Sequence, residues 1–388
     1  MKRNRLIYFI LWIFSLVGIS FYGGAVSYGF FTMLTILPFI LFIYLLAVFV
    51  FFRIYQQIDS RNLVAGRPVP FYFTLMNEYH FGFCSIKVHF FSSYSKISSL
   101  DDDTEYELLP HSGIKKDTQL ICRYRGEYEV GIKTVEITDF LRLFRFRYNN
   151  KETLRVAVKP DLIKLEEIKS MDLSQTMFRN AFVNPTEPDI EVRKYSDGDD
   201  VRMINWKASA RSGELLVRKM IAREREGVCV INGTKRIDGD MSVYLPLENK
   251  ILELTIALAY YFASENISVS SLYLDGELRE NNVRSLDDFD LFYERASGMI
   301  FRTDSDEDKL LTLCSRHKEV YSCKSVFLVL HEWSAAAEEF VHSLRDNNVF
   351  TLACIIDNEV KDHEGNTGIP GFVMKYIGVE QELASAGI

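Results

Sequence analysis

The sequence predicts a multi-domain membrane protein with an N-terminal transmembrane helical hairpin, an antiparallel β-sandwich or barrel, and a C-terminal α/β domain. Three observations carry this. Residues Leu6 to Phe52 contain no Asp, Glu, Lys, Arg or His. Residues 58–160 show short apolar runs separated by turn-forming clusters. From Val228 onward, strand-like apolar runs alternate with helix-like stretches, the pattern of a largely parallel sheet covered on both faces. The expected bounds are 1–57 for the hairpin, 58–160 for the β domain, 161–226 for a connecting segment and 227–388 for the α/β domain.

The apolar run divides around Tyr22–Tyr28, where Gly23, Gly24 and Ser27 interrupt it. Leu6–Phe21 is short for a span, whereas Phe30–Phe52 meets the ~20 residues needed to cross ~30 Å of hydrocarbon. Pro38 falls inside the second helix, where neighbouring groups in a membrane can satisfy the freed backbone. The basic start, Lys2, Arg3 and Arg5, resembles a signal peptide, but no Ala-x-Ala-like cleavage site follows and a second span comes within ten residues. Basic residues flank both outer ends (Lys2, Arg3, Arg5; Arg53, Arg61) and are absent from the turn. Both ends, and the soluble body with them, are therefore expected in the cytoplasm, with the hairpin in the inner membrane.

In the β region, strands are expected around Phe71–Leu75, Ile86–Phe90, Gln119–Tyr124, Tyr128–Ile132 and Leu154–Val158. Asp101–Asp103 reads as a solvated turn, since no further ligand spacing supports calcium. Residues from Leu162 to about Asn184 read as helix and then loop. In the last region, strands are expected at Val228–Ile231, Ile267–Leu274, Ser325–Leu330 and Val349–Ile356. Helices are expected at Glu248–Ser264, Ser285–Ala296, Asp304–Glu319 and Ser334–Arg345. The tail after Asp357 offers only a short apolar stretch at Phe372–Ile377.

Composition removes several function classes. A net charge of −8 argues against a general nucleic-acid binder, which carries a basic stripe. The six cysteines form no CxxC pair and mostly lie in apolar runs, so they read as reduced, buried thiols. The seven histidines form no HxxxH or HxH pair, so no zinc site built from sequence neighbours is expected.

The segment Glu191–Met220 is the most distinctive. Val192–Tyr195 reads as extended, Asp197–Asp200 as a turn, and Val201–Ala210 as a short helix that Asp199 or Asp200 caps. Arg202 and Trp206 are four apart, so on one helix the guanidinium lies over the indole. Arg211 is a second cation for Asp197 or Asp199. A brace of ion pairs between the β and α/β parts is one reading, and a partner-recognition surface is another. No nucleophile with an adjacent base is evident, so no catalytic residue is assigned.

The string Tyr195–Arg211 resembles the signature of the bacterial domain-of-unknown-function 58 family, roughly G-D-x-x-R-x-I-x-W-x-x-S-A-R. Its fixed positions are met by Gly198, Asp199, Arg202, Ile204, Trp206, Ser209, Ala210 and Arg211. Arg125–Gly131 and Asp139–Phe144 resemble a second family pattern, R-G-x-Y…D-x-x-G-L-F, with Arg142 where Gly is usual. The resemblance implies a two-helix anchor, a β domain and a C-terminal domain like von Willebrand factor A. It also implies an adaptor or scaffold role beside a MoxR-type AAA+ ATPase and a transglutaminase-like membrane protein, at the lipid bilayer. No enzymatic activity and no cofactor are implied.

Von Willebrand A domains often hold Mg²⁺ through an Asp-x-Ser-x-Ser loop. Here that loop reads Asn232–Arg236, leaving Asn232 and Thr234 as degenerate candidates and placing Arg236 where a ligand would sit. No functional Mg²⁺ site is expected. Two other function classes stay open. One is a membrane-bound hydrolase using Asp275, Asp357 and Glu332, carboxylates that follow strands. The other is a purely structural envelope protein.

Overall fold

The computed structural model describes residues 1–98, 104–165, 187–196, 199–221, 227–358 and 372–383. They form two compact units, Met1–Asp161 and Leu162–Ile388. The Asp101–Asp103 turn, most of the helix expected after Leu162, and Asp197 with Gly198 lie outside the described residues.

The first unit opens with helices α1 (Lys2–Tyr22) and α2 (Ala25–Phe51), both long and apolar enough to cross a membrane. Gly23 closes α1 with a positive φ of 52°, a left-handed conformation that glycine adopts without strain. The two helices pair through Trp12, whose Nε1 donates to Thr35 Oγ1 at 3.1 Å, and through the Tyr8 hydroxyl, which donates to the Leu34 carbonyl. Most of their other apolar side chains before the last turns of α2 face outward, as hydrocarbon rather than a protein core would require; Phe14 is 73% exposed and Phe39 68%.

The last turns of α2 are different. Leu41, Leu45 and Val48 are fully buried. Phe42 and Phe49 pack edge-on against Phe146, and Tyr44 packs against Phe81 and Phe140. The Tyr44 hydroxyl donates to the Gly82 carbonyl at 2.8 Å and accepts from the Cys84 N–H at 3.2 Å. Helix and β structure thus join as one packed body.

Strand β1 (Arg53–Ile58) follows α2 directly. After it come β2 (Asn62–Val64), β3 (Pro68–Asn77), β4 (Phe83–Phe90), β5 (Ser95–Ser98), β6 (Glu105–Leu108), β7 (Ser112–Cys122), β8 (Gly126–Val130), β9 (Ile132–Thr138), β10 (Arg145–Asn149) and β11 (Leu154–Lys159). They form three sheets, ordered β1-β3-β7-β5, β10-β9-β4-β6 and β2-β11-β8. Alternation puts Phe71, Phe73 and Leu75 of β3 inward, against Phe90 and Tyr106. Pairing is antiparallel except for β2 with β11. Those two strands are far apart in sequence, so no tight turn forces them antiparallel. Glu136 on β9 is buried and gathers Arg145 at 3.0 Å, together with Arg147.

In the second unit, β12 (Glu187–Lys194) pairs with β13 (Leu216–Ile221), and the short helix α3 (Trp206–Ser212) lies between them. The rest is a doubly wound sheet of β14 (Val228–Asn232), β15 (Val269–Asp275), β16 (Glu277–Val283), β17 (Ser325–Leu330), β18 (Phe350–Asp357) and β19 (Phe372–Gly378). Its order is β16-β15-β14-β17-β18-β19, and only β16 is antiparallel. Helix α4 (Met241–Ser264) covers one face with Ile251, Leu254, Leu258 and Phe262. Helices α6 (Glu307–Ser315), α7 (Lys318–Ser322) and α8 (Ala335–Asp346) pack on the other, and α5 (Leu286–Ser297) joins the α4 side. The apolar stretch expected in the tail is β19. Cys122, Cys229, Cys314, Cys323 and Cys354 are buried free thiols, and Cys84 is half-buried.

Candidate functional site

The signature segment folds as a loop and helix mounted on the β12–β13 ladder. Asp199 closes its entry. The Arg193 guanidinium donates to both carboxylate oxygens, at 2.8 and 2.5 Å, and the Ser196 N–H donates at 2.9 Å. The Arg193 hydrogen bonds, then the Ser196 N–H, hold this carboxyl below the usual range. Asp200 caps a single 3-10 turn, Val201–Met203, by accepting from the Arg202 N–H. The chain then extends through Ile204, and Asn205 caps α3 by accepting from the Ala208 N–H at 3.2 Å. Ser209 staples helix to strand: its hydroxyl donates to the Asn205 carbonyl and accepts from the Leu216 N–H, both at 2.9 Å. Ile204 and Val217 are buried beneath it.

The signature therefore divides. Asp199, Ile204 and Ser209 build the motif, whereas Arg202, Trp206 and Arg211 are exposed, Trp206 by 64%. Val201, Lys207 and Leu215 of the same segment are exposed as well. Two expectations are corrected. The single helix over Val201–Ala210 is broken at Ile204–Asn205, so Arg202 and Trp206 do not share a helical face. Asp199 pairs with Arg193, not with Arg211. Gly198 lies outside the described residues.

The second candidate region is the C-terminal edge of the doubly wound sheet, beside the switch between β14 and β17, where such sheets receive ligands. Asn232 is fully buried; its amide oxygen accepts from Ser271 Oγ at 3.4 Å and its amide nitrogen faces the Met299 sulfur at 3.7 Å. The Thr234 hydroxyl donates to the Leu274 carbonyl at 2.6 Å and lies 3.0 Å from Ser305 Oγ. Arg236 does not enter this place. It makes a two-point pair with buried Glu248, at 2.6 and 3.2 Å, and lies over the Tyr244 ring.

The group that does enter is Glu307, the first residue of α6, which sequence reasoning missed. Its carboxylate accepts from the His331 N–H at 3.2 Å and fills the space over Gly233, where an added Cβ would collide with it. Burial raises the Glu307 carboxyl from 4.5 to about 7, although the His331 and Glu332 N–H groups and Lys235 oppose the rise. Burial also lowers His331 to about 4. Asp275 pairs with Arg302 at 3.1 Å, and Glu332 is exposed.

The Mg²⁺ donor set implied by the family resemblance does not fit this edge. Asn232 and Thr234 spend their side chains inside the protein, and the carboxyl above them is held near neutrality. Sequence could not reveal this, because an acidic residue in the first turn of a helix ordinarily reads as a complement to the helix dipole.

Three solved structures resemble the chain in part. They are the secreted serine protease VesC from Vibrio cholerae (9% identity, 34% of this chain and 26% of that one, TM-score 0.18), the β-glucuronidase of Bacteroides uniformis (8%, 83% and 35%, 0.18), and Cwp6 from Clostridium difficile (11%, 77% and 36%, 0.15). The chain spans 26–36% of the length of these proteins, and overlaps at such TM-scores identify neither fold nor activity. No curated protein matches the chain. Residues 191–281, which contain the signature and the first strands of the doubly wound sheet, match the family described as "Protein of unknown function DUF58". The motif built around Asp199, Ile204 and Ser209 thus lies within the segment of this chain that matches the DUF58 family.

Proposed function

We propose that the chain is a membrane-anchored adaptor whose C-terminal unit is a degenerate von Willebrand A-like domain, and that it works with a MoxR-type AAA+ ATPase. In this reading the two helices cross the inner membrane as a hairpin and both soluble units face the cytoplasm. A transglutaminase-like membrane protein is a further partner. The sheet order with a lone antiparallel edge strand supports the von Willebrand A-like reading. The edge sealed by Glu307 supports binding through another surface.

The observation that carries the proposal is the exposure of Trp206, in a segment where Val201, Arg202, Lys207, Arg211 and Leu215 are exposed as well. An exposed tryptophan in a segment that also exposes arginines has the composition of an interface hot spot. A Trp side chain buries about 150–250 Å² when covered. With roughly two thirds of that still open, covering it contributes about 3 kcal/mol at ~25 cal/mol per Å².

The test is capture of the full chain in mild detergent with a purified MoxR-type ATPase. Binding that weakens about a hundredfold in Trp206→Ala, with unchanged thermal unfolding, supports the proposal. Absence of binding, or equal binding by the variant, overturns it. Thiol labelling of cysteines placed in 22–28 and at the C-terminus tests the orientation, and labelling of both from one side would exclude a hairpin.

A further inference from the structure

A second cluster lies away from both regions, where the α6–α7 elbow rests on the antiparallel edge of the doubly wound sheet. Glu280 projects from β16. His317 and Glu319 come from the elbow, His317 as the residue preceding α7. One donor atom from each residue lies within 4.8 Å of the other two, and His317 Nε2 stands 3.9 Å from Glu280 Oε2. The elbow is fixed: the His317 N–H donates to the Cys314 carbonyl at 3.0 Å, the His317 carbonyl accepts from Val320, and Val320 is buried. Glu280 is fixed as well, because its other oxygen accepts from Ser270 Oγ on β15 at 2.9 Å.

A plain ion pair explains this arrangement poorly. At 3.9 Å, His317 and Glu280 are too far apart for a hydrogen bond. Two carboxylates converge on one imidazole, and a divalent cation bonded at Nε2 would satisfy that nitrogen and balance both acids. Tetrahedral bonds of about 2.0–2.2 Å bring donors to about 3.4 Å apart, so closure needs movements of about 1 Å. Ser270 already supplies the outer hydrogen bond that orients a ligating carboxylate.

We infer that Glu280, His317 and Glu319 form a binding site for a zinc-type divalent cation, with a fourth position open to water. The nitrogen and oxygen donors match zinc's preference, and the site ties the elbow to the sheet edge. Cys229, Cys314 and Cys323 lie in the same face of the core but outside the donor group.

The test uses the full chain, purified in detergent, stripped with chelator and dialysed against ZnCl₂, with zinc counted after gel filtration. One equivalent per chain is expected. His317→Ala and Glu319→Gln should each weaken retention at least about tenfold, and Ser270→Ala about tenfold through Glu280. Glu319 is exposed, so its variant keeps the fold, which circular dichroism checks. Cobalt substitution should give visible bands without a sulfur charge-transfer band. No bound zinc, binding unchanged in both ligand variants, or a strong thiolate band would each overturn the assignment.

Discussion

Glu307→Gln should make the second unit more stable at neutral pH and above, although Glu307 is a buried, hydrogen-bonded residue. Burial holds its carboxyl at about 7 against an ordinary 4.5. The raised value means that the folded state keeps its proton while the unfolded state loses it. Below 4.5 both states are protonated and the group is neutral to stability. As pH rises from 4.5 to about 7 the unfolded state gains ionisation that the folded state lacks, so stability falls, and above 7 the loss is constant. At ~1.36 kcal/mol per pH unit the loss is about 3 kcal/mol. Glutamine keeps an oxygen for the His331 N–H and removes the ionisation. Melting of the full chain in detergent, followed by tryptophan fluorescence, reads the difference. Trp333 stacks on Phe372 of β19 and reports this unit. For a unit of this size the variant should melt about 6–12 °C higher at pH 8 and at nearly the same temperature at pH 4.5. A difference that does not change with pH, or a variant that melts lower at pH 8, would refute the account of Glu307.

Gly233→Ala should unfold the same edge, since the added methyl meets the Glu307 carboxylate; adding Glu307→Ala should restore part of the lost melting temperature. Ser209→Ala removes the staple between α3 and β13 and should cost about 1–2 kcal/mol locally, seen as faster amide exchange at Leu216. Arg211→Ala should leave melting within about 0.5 kcal/mol, as expected of an exposed side chain, and a larger loss would restore the brace reading. In the first unit, burial opposes ionisation of Glu136, but Arg147 and Arg145 prevail and its carboxyl lies below the usual value. Its contribution is therefore present above the ordinary carboxylate pKa and lost as pH falls through the lowered one. Glu136→Gln should cost about 2 kcal/mol at pH 7, and the difference should shrink progressively as pH falls below the ordinary carboxylate pKa, as acid unfolding curves would show.

The parts of the fold legible in the sequence are those in which one kind of burial persists along an element. Strands β14, β17 and β18 are buried on both faces almost throughout, so they appear as unbroken apolar runs. Helices α5 and α8 keep one wet face, and their stripes and Ser caps mark both. Strand β16 was missed for the opposite reason. It is an edge strand reading Glu-Leu-Arg-Glu-Asn-Asn-Val, half solvated, and its pairing depends on the turn at Gly276. Strand β1 was hidden likewise: Arg53–Ile58 alternates exposed and half-buried residues directly after a helix. The burial of α2's last turns was also not legible. Phe42 and Phe49 look alike to lipid and to Phe146, and only the tertiary structure distinguishes the two.

The candidate sites divide along the same line. The signature could be recognised as a string, but the roles within it could not be assigned, because Asp, Ser and Arg serve equally well as braces and as presented groups. A 3-10 turn followed by a break at Ile204 decides the matter. It takes Arg202 off the face of Trp206, assigns Asp199 to Arg193, and leaves the indole about two thirds exposed. Spacing counts residues, whereas the sheet-edge and elbow sites are assembled from strands and helix ends far apart in the chain. Glu307 reaches Gly233 from 74 positions away, and Glu280 meets His317 from 37. Neither distance leaves a periodicity to read, so the groups best placed for chemistry in this chain are those its sequence pattern leaves unmarked.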